Sequence, residues 1–246
     1  LGAPAAGVFQ DATAYTNHGA DVNTAVGGGV VGDAVNLAGT CNINLTGLTS
    51  LKQFYTFEFL VRSWEYSTGD YLFDSQSGRL IFAFNRPAAG QVGYYENNTW
   101  RDSAGSGLND DQWHHVVYAL NAQSNTCVVY VDGVQAGSLA YAFPRNIGGA
   151  VRIGSVYDGT GQHYDGLMDE FRLSTMVRSA DWIAATFGSQ MRNAAFTRYD
   201  AVTTTVPDLA VANRPASGVA NRQATLRGVV LNTGGAGNPD VYICWG

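Results

Sequence analysis

The sequence has little charge, since only 14% of its 246 residues are Asp, Glu, Lys or Arg. With a net charge of −6, it lacks the basic surface that would neutralise a run of phosphates, which argues against a nucleic-acid partner. No apolar run approaches the roughly 18 residues that span a bilayer, so we expect no membrane span in this chain. The first residues lack the charged and apolar regions of a signal peptide, so we expect a processed chain or a piece of a larger precursor.

Cysteine is also scarce, with Cys41, Cys127 and Cys244 the only three. Three cysteines permit at most one internal disulfide, and their spacings fit neither a zinc site nor a redox CxxC motif. Cys41 and Cys127 fall within the same β-rich region, so we expect them to form the disulfide. The alternative is three buried free thiols.

Helical periodicity is almost absent, whereas alternation with a period of two recurs along the chain. The composition agrees, because 30 Gly suit turns, and 13 Tyr, 11 Phe and 5 Trp pack well on sheets. Strands are predicted at residues 34–37, 55–63, 71–75, 79–85, 91–96, 113–121, 126–131, 135–140, 151–155 and 166–174. Asp132-Gly133 between two alternating runs predicts a tight hairpin. Many short strands at this spacing indicate an all-β sandwich or barrel.

One helix is predicted over residues 179–187. Ser179 is a suitable N-cap, Asp181 lies in the first turn, and Gly188 is expected to end the helix. Trp182, Ile183 and Phe187 would pack on the sheets.

The composition changes from residue 200 onward. Residues 193–223 include a Pro-, Ser- and Thr-rich stretch that predicts a linker, and residues 224–246 suggest two further strands, near 226–231 and 241–245. A lone hairpin is marginal in water, so this tail is too short to close its own core.

Several ordered motifs resemble the jelly-roll domains of the laminin-G-like, concanavalin A-like family. They are Trp113-His114-His115-Val116-Val117, Tyr130-Val131-Asp132-Gly133, Arg152-Ile153-Gly154 and Asp165-Gly166-Leu167-Met168-Asp169-Glu170-Phe171-Arg172. The resemblance implies a sandwich of two antiparallel sheets with one short helix over residues 1–192. The tail at 224–246 is similar to the start of a fibronectin-III-like or immunoglobulin-like module, as in large bacterial surface proteins.

The resemblance also implies a structural calcium site. In related jelly rolls the Asp of the last motif, here Asp169, binds calcium together with an N-terminal loop, here containing Asp11, Asn17 and Gly19. Calcium binds six to eight oxygens, backbone carbonyls included, so this mixture is chemically suitable. The alternative is a salt bridge of Asp169 or Glu170 with Arg172 or Arg152, without a metal.

Catalysis is not predicted. Glycoside hydrolysis needs two carboxyl groups across a cleft, and no strand carries the E-x-D-x-E or E-x-D-x-x-E pattern of concanavalin-like glucanases. His114 and His115 are adjacent on a predicted strand, so their side chains diverge and cannot share a metal.

Aromatic residues in turns predict a binding surface instead. Rings beside amides and carboxylates suit the faces of sugars, which combine C–H patches with hydroxyls. The candidate ligand-binding residues are Trp64, Tyr66, Tyr95, Trp100, Tyr157, His163 and Tyr164. Because alternation buries every second residue of a strand, half of these rings are core residues in the alternative interpretation.

The leading functional prediction is a secreted, cell-surface binding or adhesion module whose partner is a glycan or another surface protein. The alternative is a structural subunit of a surface layer or filament, a homo-polymer assembled by strand addition through the tail. A glycan-active enzyme is the least supported hypothesis, for want of an acid pair.

Overall fold

The fold is described by a computed structural model for residues 7–45, 48, 50–51, 54–65, 69–96, 98–140, 146–196, 210–220 and 222–232. The elements in chain order are β1 (Val8–Phe9), β2 (Gly19–Val22), β3 (Ala25–Gly28), β4 (Asp33–Asn36), β5 (Asn42–Leu45), β6 (Ser50–Leu51), β7 (Phe54–Arg62), β8 (Asp70–Ser75), β9 (Leu80–Phe84), β10 (Val92–Glu96), β11 (Thr99–Ala104), β12 (Trp113–Asn121), β13 (Thr126–Val131), β14 (Val134–Ala140), β15 (Asn146–Ile147), β16 (Val151–Ile153), β17 (Leu167–Ser174), α1 (Ala180–Met191), α2 (Asn193–Phe196), β18 (Ala210–Ala220) and β19 (Gln223–Asn232). They divide into two compact units, Leu1–Thr197 and Arg198–Gly246.

Two antiparallel sheets form the first unit. One has eight strands in the order β1-β2-β5-β16-β8-β9-β10-β11, and the other has seven in the order β14-β13-β12-β7-β17-β4-β3. The predicted all-β sandwich is therefore confirmed. All ten predicted strands occur with small shifts at their ends, whereas β1, β2, β3, β5, β6, β11 and β15 were not predicted. Those strands have two to six residues, and most are too short for alternation to be recognised.

Aromatic side chains fill the space between the sheets. Phe57 of β7 lies 4.6 Å from Phe82 of β9 between ring centroids, and Phe82 lies 4.2 Å from Tyr118 of β12. All three residues are fully buried. They belong to opposite sheets, so their contact joins the two layers of the sandwich.

Tyr118 adds a polar bond to this core. Its hydroxyl donates across the sandwich to the backbone carbonyl of Gly93 on β10, at 3.2 Å. A buried phenol needs such a partner, because an unpaired hydroxyl in an apolar core is costly. This bond holds β10 in place from the core side.

Helix α1 packs on the far face of the seven-stranded sheet. Ser179 caps it as predicted, since its hydroxyl accepts from the backbone N–H of Trp182 at 3.2 Å. Ile183 is fully buried, and the Phe187 ring stacks on His115 at 6.3 Å. The expected end at Gly188 is wrong, because α1 continues to Met191; glycine inside a helix costs only about 1 kcal/mol relative to alanine. In the described part of the chain, no helix is long and apolar enough to cross a membrane.

The second unit contains a two-stranded antiparallel sheet of β18 and β19. Strand β19 covers the predicted strand at 226–231, but its partner β18 lies in the segment that the sequence assigned to the linker. The pairing shifts register between Arg214 and Ser217, around Pro215. A bulge accommodates proline because it removes the residue from the hydrogen-bond ladder. Pro215 therefore does not exclude a strand here, although its presence favoured the prediction of a linker. The second expected strand, at 241–245, lies outside the described residues.

Removing the Tyr118 hydroxyl should destabilise the sandwich. We expect Tyr118→Phe to lower the free energy of unfolding by about 1–3 kcal/mol, because the Gly93 carbonyl loses its partner across the core. Tyr130→Phe is the matched control, since no hydrogen bond of the Tyr130 hydroxyl occurs among the described residues and this ring packs beneath α1. Urea denaturation of the three proteins checks this, and equal stabilities of Tyr118→Phe and Tyr130→Phe would contradict it.

Candidate functional site

A cleft of about 300 Å³ opens on the outer face of the eight-stranded sheet. Phe82 and Tyr94 point into the core, so alternation places Ala83, Gly93 and Tyr95 on the opposite, outer face. Tyr71 is directly opposite Ala83 and lies on the same face, because the register shifts between Tyr71 and Phe73. The cleft is lined by Gly69, Tyr71, Arg86, Pro87, Trp100 and Gln162. We call this site the outer cleft.

Three aromatic rings meet beside the outer cleft, and two of them, Tyr71 and Trp100, line it. Tyr95 of β10 and Trp100 of β11 are directly opposite in register, with ring centroids 5.2 Å apart. Tyr71 of β8 reaches to 6.1 Å from Trp100, although two strands lie between them and the backbones of β8 and β11 are roughly 14 Å apart. The rings therefore lean over the intervening strands.

Small residues beneath the rings permit this arrangement. Ala83 of β9 is opposite Tyr71 of β8 on one side and Gly93 of β10 on the other. Two small residues therefore lie in a row across the sheet between Tyr71 and β11. A Cβ atom on Gly93 would lie 3.4 Å from Cγ of Arg86 and 3.3 Å from its carbonyl oxygen. The same Cβ would lie 3.2 Å from the Arg101 carbonyl oxygen, so any side chain at position 93 would crowd both arginines.

The turn that carries Arg86 is fixed by a buried amide. The Asn85 side chain is fully buried, accepts from the Gly90 N–H at 2.7 Å, and donates to the Asp70 carboxylate at 2.9 Å and to the Glu65 carbonyl at 3.3 Å. Asn85 has a φ of +53°, a conformation that asparagine tolerates better than most residues. The network fixes the backbone from which Arg86 projects.

Arg86 lies against Trp100. Its Cζ atom is 4.2 Å from the centre of the Trp100 ring, which is cation–π geometry. The guanidinium group therefore covers one face of the indole, and the charge stays at the cleft.

A loop over residues 156–161 borders the cleft on the side of β16. It leads into Gln162, whose carbonyl accepts from the Tyr71 N–H at 3.0 Å, and His163 forms an isolated bridge with Tyr71. The loop also carries Tyr157, whose ring is 4.9 Å from Cζ of Arg79. A second arginine–aromatic pair thus lies beside the outer cleft.

The carboxyl group of Asp74 lies buried beneath this loop. Its Oδ2 accepts from the Tyr157 N–H at 3.0 Å and lies 3.6 Å from the Arg79 guanidinium, whereas Oδ1 has no partner among the described residues. Burial raises the pKa of Asp74 from 3.8 to about 6, and the bond from Tyr157 only partly offsets it. The loop is therefore anchored on a carboxyl group whose burial makes ionisation harder than in a solvent-exposed Asp.

The structure separates the predicted ligand-binding residues into groups. Tyr95 and Trp100 lie together, and Tyr157 and His163 lie on or beside the neighbouring loop. Trp64 is 41% exposed after the end of β7 and is not among the residues that line the cleft. Tyr66 lies outside the described residues.

The prediction for Tyr164 is wrong. This residue is fully buried, with its ring 5.7 Å from that of Phe84 in the core. Sequence reasoning also missed Tyr71, Arg86 and Gln162. Tyr71 is two residues before the core residue Phe73, so regular alternation would bury it, and only the register shift between them places it on the outer face. The other two lie in turns whose positions only the fold determines.

The residues predicted to bind calcium are engaged in two separate sets of bonds. Asp169 accepts at Oδ2 from the N–H groups of Val30 and Val31, both at 3.0 Å. Asp11 accepts from the N–H groups of Thr13 and Asn17 at 2.8 and 2.9 Å. Gly19 lies in β2, and a Cβ there would meet Ile43.

No group of three or more acidic, His or Cys side chains able to hold a metal occurs in the described ranges. Calcium binding by these residues stays a prediction. The salt-bridge alternative does occur, between Glu170 and Arg172.

The expected disulfide is absent, since Cys41 and Cys127 are both free thiols. Cys127 is fully buried in the core on β13, whereas the Cys41 thiol is partly exposed and donates to the Asn23 carbonyl at 2.8 Å. The sequence alone does not show that Cys127 is buried more deeply than Cys41.

The two histidines diverge as predicted. His115 is buried beneath α1, 3.6 Å from the Glu58 carboxylate. His114 lies between Asp132 and Asp110, at 2.9 and 3.1 Å, and the bond to Asp132 is the main cause of its raised pKa. Asp132 has a φ of +52° in the hairpin, so His114 supports the turn and is not part of the outer cleft.

The fold defines a concanavalin A-like jelly roll, and the sequence agrees with that class. A family model described as the concanavalin A-like lectin/glucanases superfamily, of the laminin-G type, matches residues 37–184. The chain therefore belongs to this superfamily. The match does not extend to the tail, so its fibronectin-III-like character stays a prediction.

Solved structures with the same fold are distant in sequence. Domain 4 of AbnA, a GH43 extracellular arabinanase from Geobacillus stearothermophilus solved with arabinotriose, is 21% identical with a TM-score of 0.54, over 66% of this chain and 80% of that one. The ligand-binding domain of botulinum neurotoxin serotype D, solved with N-acetylneuraminic acid, is 11% identical with a TM-score of 0.57, over 74% and 48%. The binding domain of Paraclostridial mosquitocidal protein 1 is 12% identical with a TM-score of 0.52, over 69% and 46%. The aligned part of this chain spans about half the length of the two toxin domains, and a search of curated proteins gives no significant match.

The buried Asp74 should make stability depend on pH. The unfolded chain ionises Asp74 near pH 3.8 and the folded chain near 6, so the free energy of unfolding falls as pH rises between these values. We expect the wild type to lose about 3 kcal/mol over this range relative to Asp74→Asn, which keeps an acceptor for Tyr157. Urea denaturation of both proteins at several pH values checks this. Parallel stability profiles would contradict it.

Proposed function

We propose that this chain is a carbohydrate-binding module whose sugar ligand binds in the outer cleft. The observation that carries the proposal is the convergence of Tyr71, Tyr95 and Trp100 from three strands onto one face, beside Arg86 and Gln162. In a core, such rings would be covered, whereas here all three are half-buried, and Tyr71 and Trp100 line an open cleft.

The chemistry of the cleft suits a sugar. Aromatic faces take up C–H patches, and amide and guanidinium groups donate to hydroxyls. A volume of about 300 Å³ lies at the lower end of ligand pockets, which favours one or two sugar rings with the rest of the glycan outside. The arrangement is built largely on strands, so its geometry is set before a ligand binds.

The fold is consistent with this role, since related jelly rolls have been solved with arabinotriose and with N-acetylneuraminic acid. The proposal includes no catalytic step. Two buried carboxyl groups are already paired with other side chains. Glu58 lies beneath α1 beside His115, and Glu96 lies 3.5 Å from Arg101. We further propose that the module works outside the cell, where glycans are displayed.

Removing Trp100 should abolish most of the binding. We expect Trp100→Ala to weaken affinity by about tenfold or more, because the ring contact is lost and Arg86 loses its support. The measurement is isothermal titration with ligands chosen from a glycan array. The matched control is Trp64→Ala, which removes an exposed tryptophan outside the cleft. If Trp64→Ala reduces binding and Trp100→Ala does not, the site lies elsewhere.

A second candidate function is assembly through the tail hairpin of β18 and β19. A two-stranded sheet is marginal in water, and here four apolar residues are 45% to 72% exposed: Val211, Val219, Leu226 and Leu231. Arg214 and Arg227 also lie directly opposite each other, and like charges in that position destabilise a hairpin. A second copy of the chain that covers this hairpin would bury the apolar residues.

Light scattering after size exclusion tests this assembly. We expect the full chain to exceed the mass of one chain at high concentration, and Leu231→Asp to shift it toward monomer because a charge would be buried. Val134→Asp is the control, since Val134 is 69% exposed on the edge strand β14. A monomer from micromolar to high micromolar concentration, or equal effects of both variants, would contradict the proposal.

A further inference from the structure

The aromatic rings beside the outer cleft do not share a plane. The ring planes of Tyr71 and Trp100 are inclined to each other by 58°, and those of Tyr95 and Trp100 by 59°. Arg86 lies over the indole with its Cζ atom 4.2 Å from the ring centre, so its guanidinium group covers one face of Trp100. A flat surface therefore cannot lie against Trp100 and against either tyrosine at the same time.

The outer cleft is also recessed. Tyr71, Tyr95 and Trp100 are all half-buried, and the cleft encloses about 300 Å³. Pro87, on the turn after β9, and Gln162, beside β8, line it together with the rings. A single sugar chain can enter a concave site of this kind, whereas a rigid flat surface would contact only its rim.

Gln162 supplies a polar group on the other side of β8 from the tryptophan. Its carbonyl accepts from the Tyr71 N–H on β8, whereas Trp100 lies on β11, beyond β9 and β10. The Gln162 side chain is exposed, and no hydrogen bond of its amide occurs among the residues that the structure describes. A Cβ atom on Gly69 would lie 2.9 Å from Oε1 of Gln162, so the glycine leaves room for this amide.

The backbone of Gln162 adopts a conformation that costs energy. Its φ is +51°, in the left-handed region that suits glycine and, less well, asparagine or aspartate. The bond from Tyr71 holds this conformation, as does the closure of the preceding loop, where the Val156 N–H donates to the Gly161 carbonyl at 3.0 Å. Such conformations cluster at functional sites, and glycine would be less strained here, so the cost points to a use for the side chain.

We propose that the outer cleft binds a single soluble glycan chain and not the flat face of a crystalline polysaccharide, with Gln162 hydrogen-bonded to the sugar hydroxyls. This inference rests on the proposed carbohydrate binding and narrows its ligand class. Tyr71 and Trp100 contact C–H groups of the same chain. A glutamine amide both donates and accepts, which matches a hydroxyl group that does the same.

Ligands of the same sugar in two physical forms test the ligand class. Cellohexaose is compared with microcrystalline cellulose, and chitohexaose with crystalline chitin, alongside the soluble glycans of an array. We expect the full chain to bind at least one soluble glycan, and neither crystalline polymer to deplete it from solution. Depletion by either polymer that Trp100→Ala abolishes and Trp64→Ala leaves intact would overturn this inference, while carbohydrate binding in the outer cleft would stand.

The variant Gln162→Gly tests the role of the amide. Glycine removes the side chain and suits the positive φ, so we expect the affinity for the soluble glycan to fall about fivefold while the melting temperature is unchanged or higher. Asn125→Gly is the matched control, since Asn125 has the same φ of +51° in the exposed turn between β12 and β13 of the other sheet. Unchanged affinity of Gln162→Gly, or a lower melting temperature together with weaker binding, would contradict a ligand-binding role.

The remaining outcomes concern the proposed function itself. Depletion by a crystalline polymer that Trp100→Ala leaves unchanged places the binding outside the outer cleft and overturns both proposals. No binding to any glycan, soluble or crystalline, overturns the proposed function and this inference with it.

Discussion

The aromatic contact across the sandwich is the constraint on which the rest of the structure depends. Phe57 on one sheet packs on Phe82 of the other, and Tyr118, directly opposite Phe57 on the neighbouring strand, packs on the same Phe82 ring. The Tyr118 hydroxyl then donates to the carbonyl of Gly93. Gly93 lies between core and cleft, so the packing that closes the sandwich also fixes the floor of the outer cleft.

The outer cleft is held from below by buried polar groups. Asn85 ties the turn of Arg86 to Asp70 and Glu65, and Asp74 ties the loop of Tyr157 to β8. A satisfied buried amide such as Asn85 fixes geometry, because its alternative conformations would leave polar groups unpaired. Asp74 is different, since its second oxygen has no partner in the described residues and its raised pKa records the cost.

Sequence reasoning succeeded where the signal was local. The strand Trp113–Asn121 was predicted with its observed ends, and Asp132-Gly133 forms the expected turn with positive φ at both residues. Among the candidate site residues, Tyr95 and Trp100 were found because they lie on either side of one turn. Tyr164 was predicted to be an exposed ligand-binding residue and is buried, since a loop next to a core strand has no period that identifies its buried residues.

The sequence by itself determined the all-β class, the jelly-roll family and the capped helix, because alternation, turn residues and ordered motifs are written in neighbouring positions. Only the tertiary structure decided which rings converge. Tyr71 and Trp100 are 29 positions apart in the sequence and on strands that do not pair, yet their rings meet because Ala83 and Gly93 leave room above the intervening strands. The depth of Cys127 and the burial of Asp74 were likewise set by packing, since neither residue type fixes its own distance from solvent.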